Sequence, residues 1–411
     1  MRQSLTPAQV RRLLARTLRV ALDGGPAHSQ LIERWAKAQA PEPRWIAALT
    51  WDGVGAAVGW ALTALDLKGV APPEVETPAT VAYEEATAQS TQLSTCLERL
   101  GVELDAAGVP SLALTGTALL LHDVLPAPGV RWLGDIDILV PEAQVEPAAW
   151  VLESLDYVRA GSRSAAAVEP SRSYHETFLG ADGQSLELHW RLGPARWGDD
   201  WTTSAWFGRS VPSSAPGMRV PSAVDLFWHL LFHDARNHAW SSGSLRAALD
   251  LALAARARGF DLSDVLRRLE DDARPAPLLD AIGDAAHLSP LIAAGIEPAS
   301  QPRYLRLAGW RDAIGRRRWS STAIAEAIAW GPTLDRARRF GGWAGVFDRA
   351  LRLSPLPGVP STGSLVTRIR RGFGAVRHAG FVGALAATHL LSVQGRREVG
   401  SKGLARMSRD R

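Results

Sequence analysis

The stretch at residues 135–140, Asp-Ile-Asp-Ile-Leu-Val, constrains the fold more than any other part of the chain. Side chains on a β-strand point to opposite faces in turn, so the alternation predicts a strand with Asp135 and Asp137 on one face and the branched apolar residues in the core. Two carboxylates side by side on a half-buried strand repel each other. A divalent cation would neutralise them, and hard oxygen ligands of this kind suit Mg²⁺ or Mn²⁺.

The residues just before this strand predict a second strand and a short helix. An apolar run at 112–114 stops at Thr115-Gly116-Thr117, and a helix-capable run follows at 118–122. A Pro/Gly loop at 126–129 then leads back toward Asp135.

A predicted β-hairpin downstream supplies a third carboxylate. Two strand-like runs, 174–179 and 184–192, flank an Asp-Gly turn, which is a strong hairpin signal. In the second run Glu187 and His189 face one way, and the apolar residues between them face the other. A pair of aspartates with a carboxylate on a neighbouring strand can hold two metal ions about 3.5–4 Å apart.

Taken in order, these motifs form a recognisable set: a strand ending in Thr115-Gly116, a short helix, Arg131-x-x-x-Asp135-x-Asp137, and Glu-Leu-His-Trp at 187–190. The set resembles an uncharacterised bacterial group in the nucleotidyltransferase superfamily of DNA polymerase β. The resemblance covers residues 111–192 well and the helices after Pro221 loosely.

The resemblance implies metal-dependent transfer of a nucleoside monophosphate from a nucleoside triphosphate to a hydroxyl of an acceptor that the sequence does not identify. It implies Mg²⁺ or Mn²⁺ bound by Asp135, Asp137 and Glu187, with Glu187 as a base or ligand for the acceptor hydroxyl. By the same resemblance, one ion would lower the pKa of that hydroxyl and a second would steady the leaving pyrophosphate. The residues expected to contact the triphosphate are Thr115, Gly116, Thr117, Arg131 and His189.

Some roles stay open at this stage. Thr115 stands where the group commonly has Lys, and a hydroxyl meets a phosphate more weakly than an ammonium. The alternative function is therefore a catalytically degenerate fold that acts as a binding or accessory protein in a biosynthetic or toxin–antitoxin system. Arg131 contacts phosphate or forms a salt bridge to the aspartates. His189 contacts substrate or is structural, and His175 is a weaker candidate.

Composition limits the class of protein. The chain has 411 residues, a formal net charge of +4 and a single cysteine, which excludes an internal disulfide and a cysteine-based zinc site. No run approaches the ~18 apolar residues of a membrane span. We expect a cytoplasmic protein whose partners are a nucleoside triphosphate and the acceptor.

The fold class expected is α+β: a small mixed sheet flanked by an N-terminal helical region and a C-terminal helical domain. The domains expected are a helical region at 1–108, the nucleotidyltransferase core at 109–200, a helical domain at 201–300 and an Arg-rich helical region with a flexible tail at 301–411.

Element by element, Thr6 is expected to cap the first helix, with Gln9 completing a capping box. A third helix is expected at 45–65, a Pro-rich connection at 68–78 and a loop at 201–221. Trp150 is expected to face inward from the helix after the Asp135 strand.

Two further features have competing interpretations. His229 and His233 are spaced for a helical zinc site, but without a third ligand we expect them to line the cleft or the core. The C-terminal third interleaves arginines with aromatics at 316–319 and 336–340. This could bind nucleic acid, but solvated helix faces are favoured.

Overall fold

The computed structural model describes residues 4–26, 29–160, 174–181, 183–192, 202–233, 244–270, 276–296, 298 and 302–306. All of them belong to one unit, Met1–Asn237 with Ser241–Arg318. The Arg-rich stretches and the tail predicted for the last hundred residues lie outside the described residues. The predicted boundary at residue 301 and the nucleic-acid alternative therefore stay predictions.

Helices make up most of the described residues. They are α1 Pro7–Leu22, α2 Ser29–Lys37, α3 Glu42–Trp51, α4 Gly55–Ala64, α5 Pro73–Ala106, α6 Thr115–Leu121, α7 Val145–Ser154, α8 Thr203–Arg209, α9 Ala223–Phe232, α10 Leu245–Ala254, α11 Leu262–Glu270, α12 Ala276–Ala286, α13 Pro290–Ala293 and α14 Arg303–Arg306.

One mixed sheet of seven strands lies among these helices, in the order β3-β4-β5-β2-β1-β7-β6. The β2–β5 and β1–β7 pairs are parallel, and the other pairs are antiparallel. The strands are β1 Ser111–Ala113, β2 Asp135–Leu139, β3 Val158–Arg159, β4 His175–Leu179, β5 Ser185–His189, β6 Val211–Pro212 and β7 Met218–Val220. The α+β class and the mixed sheet are confirmed.

The two faces of β2 contact different apolar clusters. Ile136 and Ile138 are each 1% exposed and belong to the large core that the helices share with the sheet. Leu139 points to the opposite face, into a smaller apolar cluster with Leu112 and Trp206. The alternation predicted for this strand is present, so its aspartates lie on the face away from the large core.

The N-terminal helical region begins as predicted and then departs from the prediction. Thr6 caps α1, and Gln9 completes the capping box. The predicted third helix is wrong, since it is broken into α3 and α4 around Asp52 and Gly53. Asp52 is buried, and its carboxylate accepts a hydrogen bond of 2.5 Å from Arg11 Nε. Gly53 has φ +62°, a conformation that ends a helix and favours glycine.

Three further predictions are corrected. Helix α5 starts at Pro73 and runs through Pro78, where a connection was predicted, because its buried stripe already begins at Val75. The predicted loop at 201–221 contains α8, β6 and β7, so the sheet extends beyond the segment predicted for it. Trp150 is 66% exposed instead of facing inward, while Leu152 on the same helix is buried.

Among the described residues no single helix has the length and hydropathy to span a membrane. The helix pair Arg44–Thr50 and Gly55–Ala64 is bent by 102° and reaches this length and hydropathy only when its two helices are counted together.

Candidate active site

The register between β2 and β5 brings the predicted carboxylates together. Asp137 is the partner of Glu187, and Leu139 is the partner of His189. Residues directly opposite each other on paired strands point to the same face, and residues two apart on one strand share that face. Asp135, Asp137, Glu187 and His189 therefore lie on one face of the sheet.

Asp137 is the buried centre of this group. His189 Nε2 donates to Asp137 Oδ1 at 3.0 Å, and the Thr115 hydroxyl donates to Asp137 Oδ2. The Asp137 backbone N–H donates to Thr117 Oγ1 at 3.1 Å. Burial raises the pKa of Asp137, but the hydrogen bonds from His189 and Thr115 outweigh burial and hold that pKa below its usual range. Asp137 is thus an anion with both oxygens engaged.

Asp135 lies at the exposed start of β2. Loss of hydration, together with the negative charges of Asp137 and Glu187, raises the pKa of Asp135 to about 6. Arg131 and Arg246 oppose this rise without cancelling it. The carboxylates thus repel one another, and a donor set of hard oxygens under mutual repulsion fits a divalent cation.

His189 lies between two carboxylates. Its Nε2 is 3.0 Å from Asp137 and 3.4 Å from Glu187 Oε2. Burial lowers the pKa of His189, but the hydrogen bonds and charges of Asp137 and Glu187 raise it to about 9. The imidazole is therefore cationic at neutral pH and compensates part of the negative charge.

The turn before α6 is strained. Thr115 has φ +47°, a left-handed conformation that a β-branched residue adopts only when its surroundings enforce it. Its hydrogen bond to Asp137 is one such restraint. A Cβ at Gly116 would lie 2.6 Å from Leu133 Cδ2, so only glycine fits that position without a shift. The phosphate contacts expected of Thr115, Gly116 and Thr117 stay predictions.

Arg131 forms an ion pair with Asp250, a residue that the sequence motifs did not indicate. Its Nε and Nη2 donate to Asp250 Oδ1 and Oδ2 on α10 at 2.8 and 3.1 Å, a bidentate pair. Burial lowers the pKa of Arg131, but Asp250 outweighs burial and leaves that pKa raised. The predicted salt bridge is therefore made to Asp250 instead of Asp135 or Asp137. The signal was the acidic residue inside the apolar run at 246–252.

His175, the weaker candidate, lies beside Glu187. It is the register partner of His189 across β4 and β5, and the two ring centroids are 5.0 Å apart. His175 Nε2 lies 3.7 Å from Glu187 Oε2. The ring of Tyr174 packs edge-on against His175 at 4.8 Å.

Helix α9 places a further histidine near this group. His229 is 3% exposed, and its ring lies 5.4 Å from Trp206 and 6.0 Å from His233. Burial, then the charge of His189, lowers the pKa of His229 to about 4, so this imidazole is neutral. The burial of His229 agrees with the prediction that it lies in the core or lines the cleft, whereas the prediction for His233 stays a prediction.

These features define the class: a mixed α/β protein with a carboxylate site. Its single mixed sheet carries aspartates and a glutamate on neighbouring strands, beside a strand–Thr-Gly–helix turn. A family model described as "Uncharacterised nucleotidyltransferase" matches residues 39–289, more than half of the chain. The chain therefore belongs to this nucleotidyltransferase family.

Other comparisons add little. No curated protein matches the chain significantly. One similar solved structure is the crystal structure of ANT(2")-Ia in complex with adenylyl-2"-tobramycin, at 18% sequence identity. The similarity covers 43% of this chain and 95% of that chain, with a TM-score of 0.32. A TM-score this low supports no conclusion about this chain.

Proposed function

We propose that this protein transfers a nucleoside monophosphate from a nucleoside triphosphate to a hydroxyl of an acceptor. The observation that carries the proposal is the pairing of Asp137 with Glu187 across parallel strands, with Asp135 two residues away on the same face. The negative charges of Asp137 and Glu187 help to raise the pKa of Asp135, so the three carboxylates fit a divalent cation, and Mg²⁺ or Mn²⁺ suits their oxygens.

The metal, when bound by Asp135, Asp137 and Glu187, supplies positive charge for the triphosphate and for the attacking oxygen. In the transfer, the acceptor oxygen forms a bond to the α-phosphorus. The bond between the α-phosphorus and the bridging oxygen breaks, and pyrophosphate leaves. Glu187, half-buried at the edge of the group, accepts the proton of the acceptor hydroxyl.

The cationic side chains beside the carboxylates have separate roles. His189 holds Asp137 in place through its 3.0 Å hydrogen bond and adds positive charge near the phosphates. Arg131 is anchored by Asp250 and contributes its charge from a fixed position. Thr115, Gly116 and Thr117 contact the triphosphate where α6 begins.

The test is label transfer from α-labelled ATP, GTP, CTP and UTP, with Mg²⁺ or Mn²⁺, to a panel of acceptors that includes hydroxyl-bearing small molecules, RNA and protein. Wild type is expected to transfer label to at least one acceptor and to release pyrophosphate in equal amount. Asp137→Asn is expected to reduce the rate at least about 10²-fold, because removing a charge-stabilising group costs on that order. Equal transfer by the variant would refute the proposal.

The second candidate function is a degenerate fold that binds nucleotide without turnover. The observation that favours it is that Thr115 and His189 engage both oxygens of Asp137, with Thr115 at the position where the family commonly has Lys. Its signature is metal-dependent triphosphate binding with no transfer to any acceptor. Thr115→Lys would then restore transfer, whereas a catalytically competent wild type would gain little from it.

A further inference from the structure

The side chains of His175, Glu187 and His189 form a compact group on two adjacent strands. Each offers one ligand atom, and these atoms lie within 4.8 Å of one another. His175 and His189 are register partners across β4 and β5, and Glu187 precedes His189 by two residues on the same face. The group is therefore built by strand pairing and not by the chance approach of surface loops.

The distances from Glu187 to the two histidines approach those of a metal's coordination shell. Zinc binds nitrogen and oxygen at roughly 2.0–2.2 Å, so neighbouring ligand atoms of a tetrahedral site lie about 3.3–3.6 Å apart. Glu187 Oε2 lies 3.4 Å from His189 Nε2 and 3.7 Å from His175 Nε2. These two distances need a contraction of at most a few tenths of an ångström, and the ligand atoms of the whole group lie within 4.8 Å of one another. Asp137 Oδ1, 3.0 Å from His189 Nε2, places a further oxygen donor beside the group.

The donor atoms determine which ion fits. Two imidazole nitrogens and one carboxylate suit borderline transition ions such as Zn²⁺, Mn²⁺ or Co²⁺, whereas Mg²⁺ prefers oxygen and keeps its water. His189 Nε2 otherwise donates its proton to a hydrogen bond with Asp137, so binding of the ion releases that proton to solvent. The group differs in this respect from Asp135, Asp137 and Glu187, which offer only oxygen. Glu187 belongs to both sets.

We propose that His175, Glu187 and His189 form a binding site for a divalent transition metal, adjacent to the carboxylate site and sharing Glu187 with it. An ion there binds Oε2 of Glu187, leaves its other oxygen for the carboxylate site, and ties β4 to β5. The inference concerns metal binding alone and does not depend on nucleotide transfer, so each can fail without the other.

The test is titration of the full-length, tag-free and metal-stripped protein with Co²⁺, followed by visible absorption, and with Zn²⁺, followed by calorimetry. Excess Mg²⁺ is present and nucleotide is absent. We expect one equivalent to bind, with a cobalt spectrum typical of nitrogen and oxygen ligands at low coordination number. Zn²⁺ is expected to displace the cobalt.

The diagnostic variant is His175→Ala, because His175 is only partly buried and its loss does not leave Asp137 unpaired. We expect it to weaken Zn²⁺ binding by at least about 10–100-fold, since even indirect disturbance of a metal ligand has an effect of that size. Glu187→Gln is expected to weaken Zn²⁺ binding to a similar extent. His287→Ala, which removes a histidine between α12 and α13, is the matched control and should bind as wild type does.

Two results would overturn the proposal. One is the absence of stoichiometric Co²⁺ or Zn²⁺ binding by the wild-type protein. The other is binding that His175→Ala and Glu187→Gln leave unchanged, or that His287→Ala weakens as much as they do. Asp135→Asn separates this site from the proposed function, because it removes an oxygen ligand of the carboxylate set but no ligand of this one. It should keep cobalt binding while losing Mg²⁺-dependent nucleotide binding.

Discussion

The 3.0 Å hydrogen bond from His189 Nε2 to Asp137 Oδ1 joins the two strands that carry the site, β5 and β2. It links the strand of the two aspartates to the histidine of the Glu-Leu-His-Trp segment. Both residues are at least nine-tenths buried, so each depends on the other for its charge to be tolerated.

This dependence predicts a large effect of His189→Leu. The substitution leaves Asp137 as a buried anion whose remaining side-chain donor is Thr115. We expect the free energy of unfolding to fall by about 3–5 kcal/mol, as for other buried pairs that lose one partner. Denaturant unfolding in the presence of a chelator measures it. A loss no larger than that of His175→Ala would contradict the role assigned to this hydrogen bond.

The Arg131–Asp250 pair predicts strong coupling between the loop before β2 and helix α10. Their side chains are 7% and 12% exposed, and the contact is bidentate. We expect Arg131→Met and Asp250→Leu each to destabilise the fold by about 3–5 kcal/mol, and the double variant to cost less than the two losses added together. A double-mutant cycle by urea unfolding measures the coupling. Strict additivity would show that the pair does not act as a unit.

A smaller effect is expected at Gln89 on α5. Its side-chain amide accepts from Leu133 N at 3.2 Å and donates to Leu133 O at 2.5 Å, which fixes the loop that leads to Asp135. We expect Gln89→Leu to cost about 1–3 kcal/mol, because it removes two hydrogen bonds and leaves the partly buried backbone groups of Leu133 unsatisfied. Nucleotide binding should weaken with it.

The matched control for Gln89→Leu is Thr91→Ala, an exposed position on the same helix, which should stay within about 0.5 kcal/mol of wild type. Equal effects of the two variants would show that the amide does not hold the loop.

The strand alternation at 135–140 and 185–189 made the faces of these carboxylates predictable from the sequence, because a period of two assigns each side chain to a face without knowledge of the tertiary structure. The pairing of Asp137 with Glu187 followed once β2 and β5 were neighbours. Sequence periodicity alone does not report which strands pair, so the resemblance to a known family carried that step.

The features that the sequence did not predict depend on contacts between residues distant in sequence. The break between α3 and α4 depends on Asp52 meeting Arg11, 41 residues away. The partner of Arg131 is 119 residues away. Strand β7 is only three residues long and pairs with β1, so its own sequence carries almost no strand signal. In each case tertiary contacts overrode the local pattern.

A pH effect on stability is expected from Asp225, whose side chain is 1% exposed. Its carboxylate accepts from Arg209, Arg268 and Ser222 at 2.7–3.1 Å. Burial raises the pKa of Asp225, but these donors outweigh it and hold that pKa below its usual value of 3.8. Since the folded pKa lies below the unfolded one, the stabilisation is present above pH 4 and is lost as the pH falls through the folded value.

We therefore expect Asp225→Asn to cost about 2–4 kcal/mol at pH 7, less than a fully buried pair because both arginines are about one-third exposed. The difference from wild type should narrow as the pH falls below 4. Denaturant unfolding across this pH range measures the difference in the free energy of unfolding. A difference independent of pH would show that the charge of Asp225 does not stabilise the fold.

We propose that Asp135, Asp137 and Glu187 bind a metal together with a nucleoside triphosphate. The most direct test is calorimetric titration of ATP, GTP, CTP and UTP with and without Mg²⁺, on wild type and on Asp135→Asn. We predict that wild type binds at least one triphosphate only when Mg²⁺ is present, and that the variant loses this binding while remaining folded. Binding of no triphosphate by wild type, or equal binding by the variant, would contradict the claim.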